Sequence, residues 1–151
     1  MRHHVAVVGP GDAGADELTA AEAVGRELGR RGAVLVCGGL GGAMEAACRG
    51  ASETGGATVG ILPGSDRSAA NRYVDIAIPT GLGEARNALV VRTADAVVAV
   101  GGGYGTLSEI ALGLRAGKPV VGLGSWEIDG MTTAGTPEEA VAAALAALAE
   151  P

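Results

Sequence analysis

Three clusters of glycines in this chain each follow a short apolar run, and their composition suits loops that bind a phosphate through backbone N–H groups. Glycine loses more conformational freedom on folding than any other residue, so a glycine cluster indicates that the bare backbone is needed. The clearest stretch is VGGGYGTLSE at residues 100–109, where Thr106 adds a hydroxyl group that can also contact an anion. The candidate ligand-binding residues are Gly9, Gly11, Gly38, Gly39, Gly41, Gly42, Gly102, Gly103, Tyr104, Gly105 and Thr106.

The glycines also allow a simpler interpretation, in which they only make tight turns between strands and helices. A single cluster would favour that interpretation. Three clusters at the carboxyl ends of predicted parallel strands favour a phosphate or nucleotide site, because such sheets bind ligands at that edge. None of the clusters has the GxGxxG spacing of a dinucleotide-binding fold or the lysine of a Walker loop, since the only lysine is Lys118. We therefore do not expect ATP hydrolysis by a Walker mechanism.

Two charged residues near these loops are candidates for a chemical role. Glu109 follows Thr106 by three residues, so it either reaches a sugar or leaving group of a long ligand or completes a helix capping box with Thr106. Arg86 lies at a predicted loop-to-helix start after PTGLGEA, where it either clamps a phosphate or carboxylate or is solvated at the surface. Arg92 is a weaker candidate for the same clamp.

Short apolar runs alternate with segments of helical periodicity along the chain, which is typical of a parallel sheet covered on both faces. The predicted strands are 5–8, 33–37, 58–62, 74–78, 96–100 and 119–123, and the predicted helices are 18–31, 43–54, 83–93, 105–116 and 137–149. We expect a mobile loop at 127–136. The pattern predicts one doubly wound Rossmann-like α/β domain over residues 1–151, with a mostly parallel sheet and helices on both faces.

Composition and charge exclude several classes of partner. The 151 residues are 48% hydrophobic and carry a net charge of −6 without a basic run, so we expect neither nucleic acid nor an anionic membrane as partner. Cys37 and Cys48 lack metal-ligand spacing, so we interpret Cys37 as a small buried residue at a strand end and Cys48 as a helix residue, and expect no metal site. No apolar leader or membrane-length run is present, which predicts a cytoplasmic protein.

The segment 101–109 resembles the PGGxGTxxE signature of the LOG family, whose members are often mislabelled lysine decarboxylases. Arg86 matches the arginine of that family's MHERK-like segment, and CGGLGGAME at 37–45 resembles its second glycine-rich turn. LOG enzymes release a free base from a nucleoside 5′-monophosphate. The resemblance therefore implies that the glycine loop and Thr106 hold the phosphate, and that Arg86 and Glu109 act as catalytic residues at the ribose and the N-glycosidic bond.

The chain departs from the LOG signature at several positions. Gly101 replaces the signature proline, Ser108 replaces a second acid, and Glu84 and Asn87 replace the histidine and lysine of MHERK. These differences indicate a sister branch. The loop sequences resemble those of the Rossmann-like proteins grouped with the molybdenum-cofactor carrier proteins. Those carriers bind a pterin phosphate without turning it over.

Two functions follow from these resemblances. The first is a nucleoside 5′-monophosphate phosphoribohydrolase, not a lysine decarboxylase, and the second is a non-catalytic carrier or sensor of molybdenum cofactor or another phosphorylated pterin or nucleotide. Neither requires a bound cofactor, although molybdenum cofactor can be the cargo. The resemblance to LOG proteins also implies a homodimer or a higher homo-oligomer with the site near the interface. Tyr104 and Trp126 either flank the crevice or pack elsewhere in the protein.

Overall fold

The computed structural model describes residues 1–149, which form one seven-stranded parallel sheet flanked by five α-helices. The strands are β1 (His4–Val8), β2 (Val34–Cys37), β3 (Thr58–Leu62), β4 (Ile76–Pro79), β5 (Ala96–Val100), β6 (Val120–Leu123) and β7 (Thr132–Ala134). The helices are α1 (Ala15–Arg30), α2 (Ala43–Glu53), α3 (Arg86–Thr93), α4 (Tyr104–Arg115) and α5 (Pro137–Ala149). The strand order is β4-β3-β2-β1-β5-β6-β7, and every neighbouring pair is parallel.

The central strands are apolar along their whole length because both faces of the sheet are covered. Alternate residues of β1 enter different cores: Val5 and Val7 pack with α1, α2 and α5, whereas Ala6 and Val8 pack with α3 and α4. Strand β5 is buried at all five positions. The prediction of a doubly wound α/β sheet is confirmed, and its helices lie on both faces as expected.

Small residues allow helices α1 and α2 to pack closely. A Cβ atom at Gly25 of α1 would overlap the carbonyl oxygen of Ala47, and one at Gly50 of α2 would overlap that of Glu22. Any side chain at these two positions would therefore push the helices apart. Close packing of this kind fills a core that contains no phenylalanine, and it explains part of the chain's high glycine content.

The main difference from the predicted elements lies in residues 127–136. We expected a mobile loop there, but Thr132–Ala134 forms strand β7, which pairs in parallel with β6. A short 3-10 turn at Arg67–Ala69 was also not predicted. The remaining differences are at element ends: α1 begins at Ala15, β4 begins at Ile76, and residues 83–85 form a short 3-10 turn before α3. Among the described residues no helix is long and apolar enough to span a membrane.

The topology places one opening at the carboxyl edge of the sheet. Strands β1 and β5 are neighbours, yet the chain leaves β1 for α1 on one face and leaves β5 for α4 on the other. The loops after these two strands therefore diverge and leave a crevice between them, as at the switch point of other doubly wound sheets. The first and third glycine clusters lie at this switch point.

Candidate functional site

A cavity of about 250 Å³ lies at the switch point between β1 and β5. It is bounded by the loop after β1, the first turn of α2, the start of α3 and the beginning of α4. Its lining residues are Gly9, Pro10, Gly11, Asp12, Met44, Arg86, Asn87, Gly103, Tyr104, Gly105, Thr106 and Glu109. Arg86 is the only cation among these twelve residues, so its position governs where an anion can bind.

The amino terminus of α4 contributes the glycine loop to this cavity. Gly103 is the N-cap residue with a φ of +112°, a conformation that disfavours any side chain, and no side chain caps the helix. The first-turn N–H groups therefore lack intrahelical partners and carry the positive end of the helix dipole. Trp126 holds the loop from outside, because its indole Nε1 donates to the carbonyl oxygen of Gly103 at 3.1 Å. Trp126 thus supports the loop rather than lining the cavity.

Thr106 faces the same cavity with an unused hydroxyl group. The residue is 3% exposed, and its Oγ1 atom is buried without a hydrogen-bond partner among the described residues. A buried hydroxyl without a partner is unfavourable in the free protein, and native structures rarely leave one unless a ligand or water completes it. Thr106 is the third residue of α4, whose N-cap is Gly103. The capping-box interpretation of Thr106 and Glu109 is therefore wrong.

Arg86 reaches the cavity from the opposite side, at the first position of α3. Its guanidinium group lies directly over Gly38, where a Cβ atom would be 2.7 Å from Nη2. One amino nitrogen donates to the side-chain oxygen of Asn87, while Nε is buried without a partner. The alternative in which Arg86 is a solvated surface residue is therefore wrong. Arg92, by contrast, is exposed near the end of α3 and does not line the cavity.

Glu109 lies one helical turn beyond Thr106 and is only 8% exposed. Burial raises the pKa of its carboxyl group to about 7, and the nearby positive charge of Arg86 opposes part of that increase. The carboxyl group is therefore close to half protonated at neutral pH. A neutral carboxylic acid can donate a hydrogen bond to an anion, whereas the ionised form would repel it.

The cavity brings together eight of the thirteen residues that the sequence singled out. Gly9 and Gly11 meet the segment 103–106, Arg86 and Glu109 there. Gly38, Gly39, Gly41, Gly42 and Gly102 do not line it. The turn interpretation accounts for most of the second cluster: Gly39 packs closely on Gly60, and a Cβ atom at Gly42 would overlap backbone atoms of Gly11. Gly38 acts indirectly, because it leaves room for the Arg86 guanidinium.

Four lining residues were missed by sequence reasoning: Pro10, Asp12, Met44 and Asn87. Pro10 and Asp12 alternate with the glycines of the first cluster, and Met44 lies two residues after the last glycine of the second. Adjacency to a glycine cluster was thus the available signal for three of them. For Asn87 the one available signal is its departure from the LOG signature.

A second, larger groove of about 600 Å³ adjoins the cavity between α3 and α4. The two share Asn87, Tyr104 and Gly105. Tyr104 is 86% exposed and stands at the border between them. The groove otherwise has an apolar floor with a few polar groups, and its remaining lining residues are Glu84, Ala85, Ala88, Ser108 and Leu112.

The two cysteines lie behind the second glycine cluster as buried free thiols. Their sulfur atoms are 3.5 Å apart, and Cys37 Sγ accepts a hydrogen bond from the Gly39 backbone at 3.3 Å. The expectation of a buried strand-end Cys37 and a helical Cys48 is confirmed. Neither thiol lines the cavity described above.

The chain is similar in sequence and fold to proteins of one family. The model of the SLOG cluster4 family matches residues 2–148. An uncharacterized protein of Archaeoglobus fulgidus is 45% identical over 138 residues, which is 91% of each chain. The molybdenum cofactor binding protein of Rippkaea orientalis is 36% identical, with a TM-score of 0.93 over 98% of both chains. The molybdenum cofactor carrier protein of Chlamydomonas reinhardtii is also 36% identical, with a TM-score of 0.92 over 99% of this chain and 100% of the other.

Proposed function

We propose that this chain, which belongs to the SLOG cluster4 family, is a non-catalytic carrier of a phosphorylated pterin, with molybdenum cofactor as the candidate cargo. The observation that carries the proposal is a pair of buried polar atoms without partners, Thr106 Oγ1 and Arg86 Nε, on residues that line one cavity. Both atoms are hydrogen-bond donors, and an anionic oxygen is the acceptor that would satisfy them. The helix terminus beside them favours the same charge.

The similar proteins support the carrier rather than the hydrolase. The Rippkaea and Chlamydomonas proteins are described as a molybdenum cofactor binding protein and a molybdenum cofactor carrier protein, and they match nearly the whole chain. Three of the departures from the LOG signature, at Glu84, Asn87 and Ser108, agree with a ligand other than the LOG substrate.

The charges of the cavity suit reversible binding. Arg86 and the α4 terminus attract a phosphate group, whereas ionised Glu109 and Asp12 oppose it. Neutral Glu109 removes part of that repulsion and can donate to a phosphate oxygen. A carrier must release its cargo, and a balance of this kind keeps the affinity moderate.

The test is direct binding of molybdenum cofactor to the purified protein. After mixing and gel filtration, we expect pterin fluorescence of the oxidised cofactor and molybdenum to elute with the protein near a 1:1 ratio. Thr106→Val should weaken binding about tenfold, because a hydroxyl contact to a charged group is lost. Its stability should not fall, since the hydroxyl has no partner in the free protein. Thr19→Val, at an exposed position of α1, is the matched control. Binding that is equal in wild type and Thr106→Val would contradict the proposal.

A phosphoribohydrolase is the second candidate, and the observation that favours it is the buried Glu109 carboxyl beside Arg86. A group whose pKa is near 7 suits proton transfer at neutral pH. Incubation with a panel of nucleoside 5′-monophosphates, followed by chromatography for free base, separates the two functions. Base release that disappears in Glu109→Gln would replace the carrier with the enzyme. We expect no release.

Two further expectations belong to this proposal. We propose that the carrier acts in the cytoplasm and forms a homodimer or a higher homo-oligomer, as the resemblance to LOG proteins implies. Light scattering of the purified chain measures its mass in solution. A mass of 14.7 kDa at micromolar concentration would contradict the oligomer without affecting the ligand site.

A further inference from the structure

The groove between α3 and α4 continues the phosphate cavity outward. Asn87, Tyr104 and Gly105 line both spaces, so a ligand anchored in the inner cavity can extend past Tyr104 into the groove. The inner cavity, at about 250 Å³, is smaller than the usual binding site of a drug-sized ligand. The groove, at about 600 Å³, offers more than twice that space. The remainder of a phosphorylated ligand therefore has one adjoining place to lie.

Three of the departures from the LOG signature lie in this groove, whereas Gly101 lies outside it. Glu84, Asn87 and Ser108 replace residues of that signature, and all three line the groove. Arg86 and Glu109 of the inner cavity match the signature. Arg86 and Glu109 at the phosphate end are thus shared with the signature, whereas Glu84 and Ser108, which line only the groove, and Asn87, which lines both spaces, differ from it. This distribution indicates that the groove determines which ring system is accepted.

The lining of the groove suits a flat ring with polar edges. Ala85, Ala88 and Leu112 form an apolar floor, and Tyr104 presents an exposed aromatic ring at the border with the cavity. The Asn87 amide is held between the two spaces, since its oxygen accepts from Arg86 and its nitrogen approaches the Ser108 hydroxyl at 3.5 Å. An aromatic platform with a few fixed polar groups is the usual composition of a heterocycle site.

Glu84 is the one charged residue among the eight that line the groove. Its carboxylate belongs to the short turn before α3, and within residues 1–149 no ion pair engages it. An ionised carboxylate accepts two hydrogen bonds but donates none. The 2-amino-4-oxopyrimidine ring, which is part of both guanine and pterin, presents an N–H and an NH₂ group side by side. Adenine presents a donor beside an acceptor and cannot make this paired contact.

We propose that this groove holds the ring system of the ligand whose phosphate occupies the inner cavity, and that Glu84 selects a heterocycle containing the 2-amino-4-oxopyrimidine ring through a paired hydrogen bond. The inference rests on the proposed function, because it assumes that a phosphate is bound beside Thr106 and Arg86. It adds the ring class, the surface that holds it and the residue that distinguishes it.

The experiment measures the dissociation constants of inorganic phosphate, AMP, GMP and a dihydroneopterin monophosphate by calorimetry. For wild type we expect GMP and the pterin phosphate to bind about tenfold or more tightly than AMP. Glu84→Gln should reduce the GMP-to-AMP ratio to below about threefold. Ala88→Trp fills the groove, so this variant should bind GMP no more tightly than it binds inorganic phosphate. Ala116→Trp, exposed at the far end of α4, is the size-matched control and should match wild type for every ligand.

The outcomes distinguish a failure of the groove proposal from a failure of the proposed function. AMP binding as tightly as GMP, or a ratio unchanged in Glu84→Gln, would overturn the selectivity of Glu84. If phosphate binds and the three ring-containing compounds bind no more tightly than phosphate, then the groove does not hold a ring, while the phosphate site in the inner cavity is retained. If no compound binds to wild type, including phosphate, then the proposed function itself is wrong and the groove fails with it. A pterin phosphate that binds tightly while GMP does not would retain the groove and assign it to pterins.

Discussion

Replacement of Glu109 by glutamine isolates the free energy of burying this carboxyl group. The side chain is 8% exposed, and its pKa is about 7 in the folded protein against 4.5 for an ordinary glutamate. Glutamine has nearly the same shape but never ionises. Any pH-dependent difference between the two proteins therefore reports the proton on Glu109.

The sign follows from the two pKa values. Well below pH 4.5 the carboxyl group is protonated in both states, so its ionisation contributes nothing to the difference. Between pH 4.5 and about 7 the unfolded chain releases the proton while the folded protein keeps it, and wild type loses stability as the pH rises. Above pH 7 both states are ionised and the difference levels off. The full shift corresponds to about 3 kcal/mol.

Urea unfolding at pH 5 and pH 8 measures this difference. We expect the stability of Glu109→Gln relative to wild type to increase by about 2.5 kcal/mol between these values, or about 5–10 °C in Tm. Glu138→Gln, exposed in the first turn of α5, controls for the loss of one negative charge from the chain. A relative stability that changes by less than about 0.5 kcal/mol over this range would refute the assignment of a buried, proton-binding Glu109.

Three other perturbations test the same structure. Phosphate affinity should weaken about tenfold between pH 7 and 8.5 in wild type as Glu109 ionises, and should change much less in Glu109→Gln, as calorimetry at the two pH values can measure. Gly103→Val forces a side chain onto a φ of +112°, so it should weaken phosphate binding at least tenfold and destabilise the protein by about 2 kcal/mol. Gly41→Val is the control: Gly41 lies in open space outside the cavity, and the variant should bind phosphate as tightly as wild type. Lys118→Met removes three hydrogen bonds that the ammonium group donates to carbonyl oxygens at the end of α3. In urea unfolding it should lower the unfolding free energy by about 2 kcal/mol. An unchanged urea midpoint would show that these bonds contribute nothing to stability.

The fold was predictable because its signals are local. Runs such as Ala96–Val100 lack polar alternation, which identifies a strand buried on both faces before any partner is known. Strand β7 was not predictable in the same way. Thr132 and Thr133 are exposed, three residues are too few to show a periodicity, and the strand exists because it pairs with β6.

The candidate site was predictable only in part, because glycine clusters have the same composition whether they bind a ligand or make a turn. The third cluster lines the cavity through Gly103 and Gly105, whereas Gly39 of the second cluster packs against Gly60. The distinction depends on which atoms lie opposite each glycine. No pattern within the cluster carries that information.

The sequence by itself determined the alternation of strands and helices, the positions of the glycine loops and the identity of the two charged candidates, because each of these depends on residues close together in the chain. Only the tertiary structure decided that Arg86 and Glu109 share one cavity. That contact requires β1 and β5 to be neighbours and the loops after them to diverge. The tertiary structure also decided the pKa of Glu109. The carboxyl group loses its surrounding water only when α3, α4 and the sheet pack together, so no single segment of the sequence carries that information.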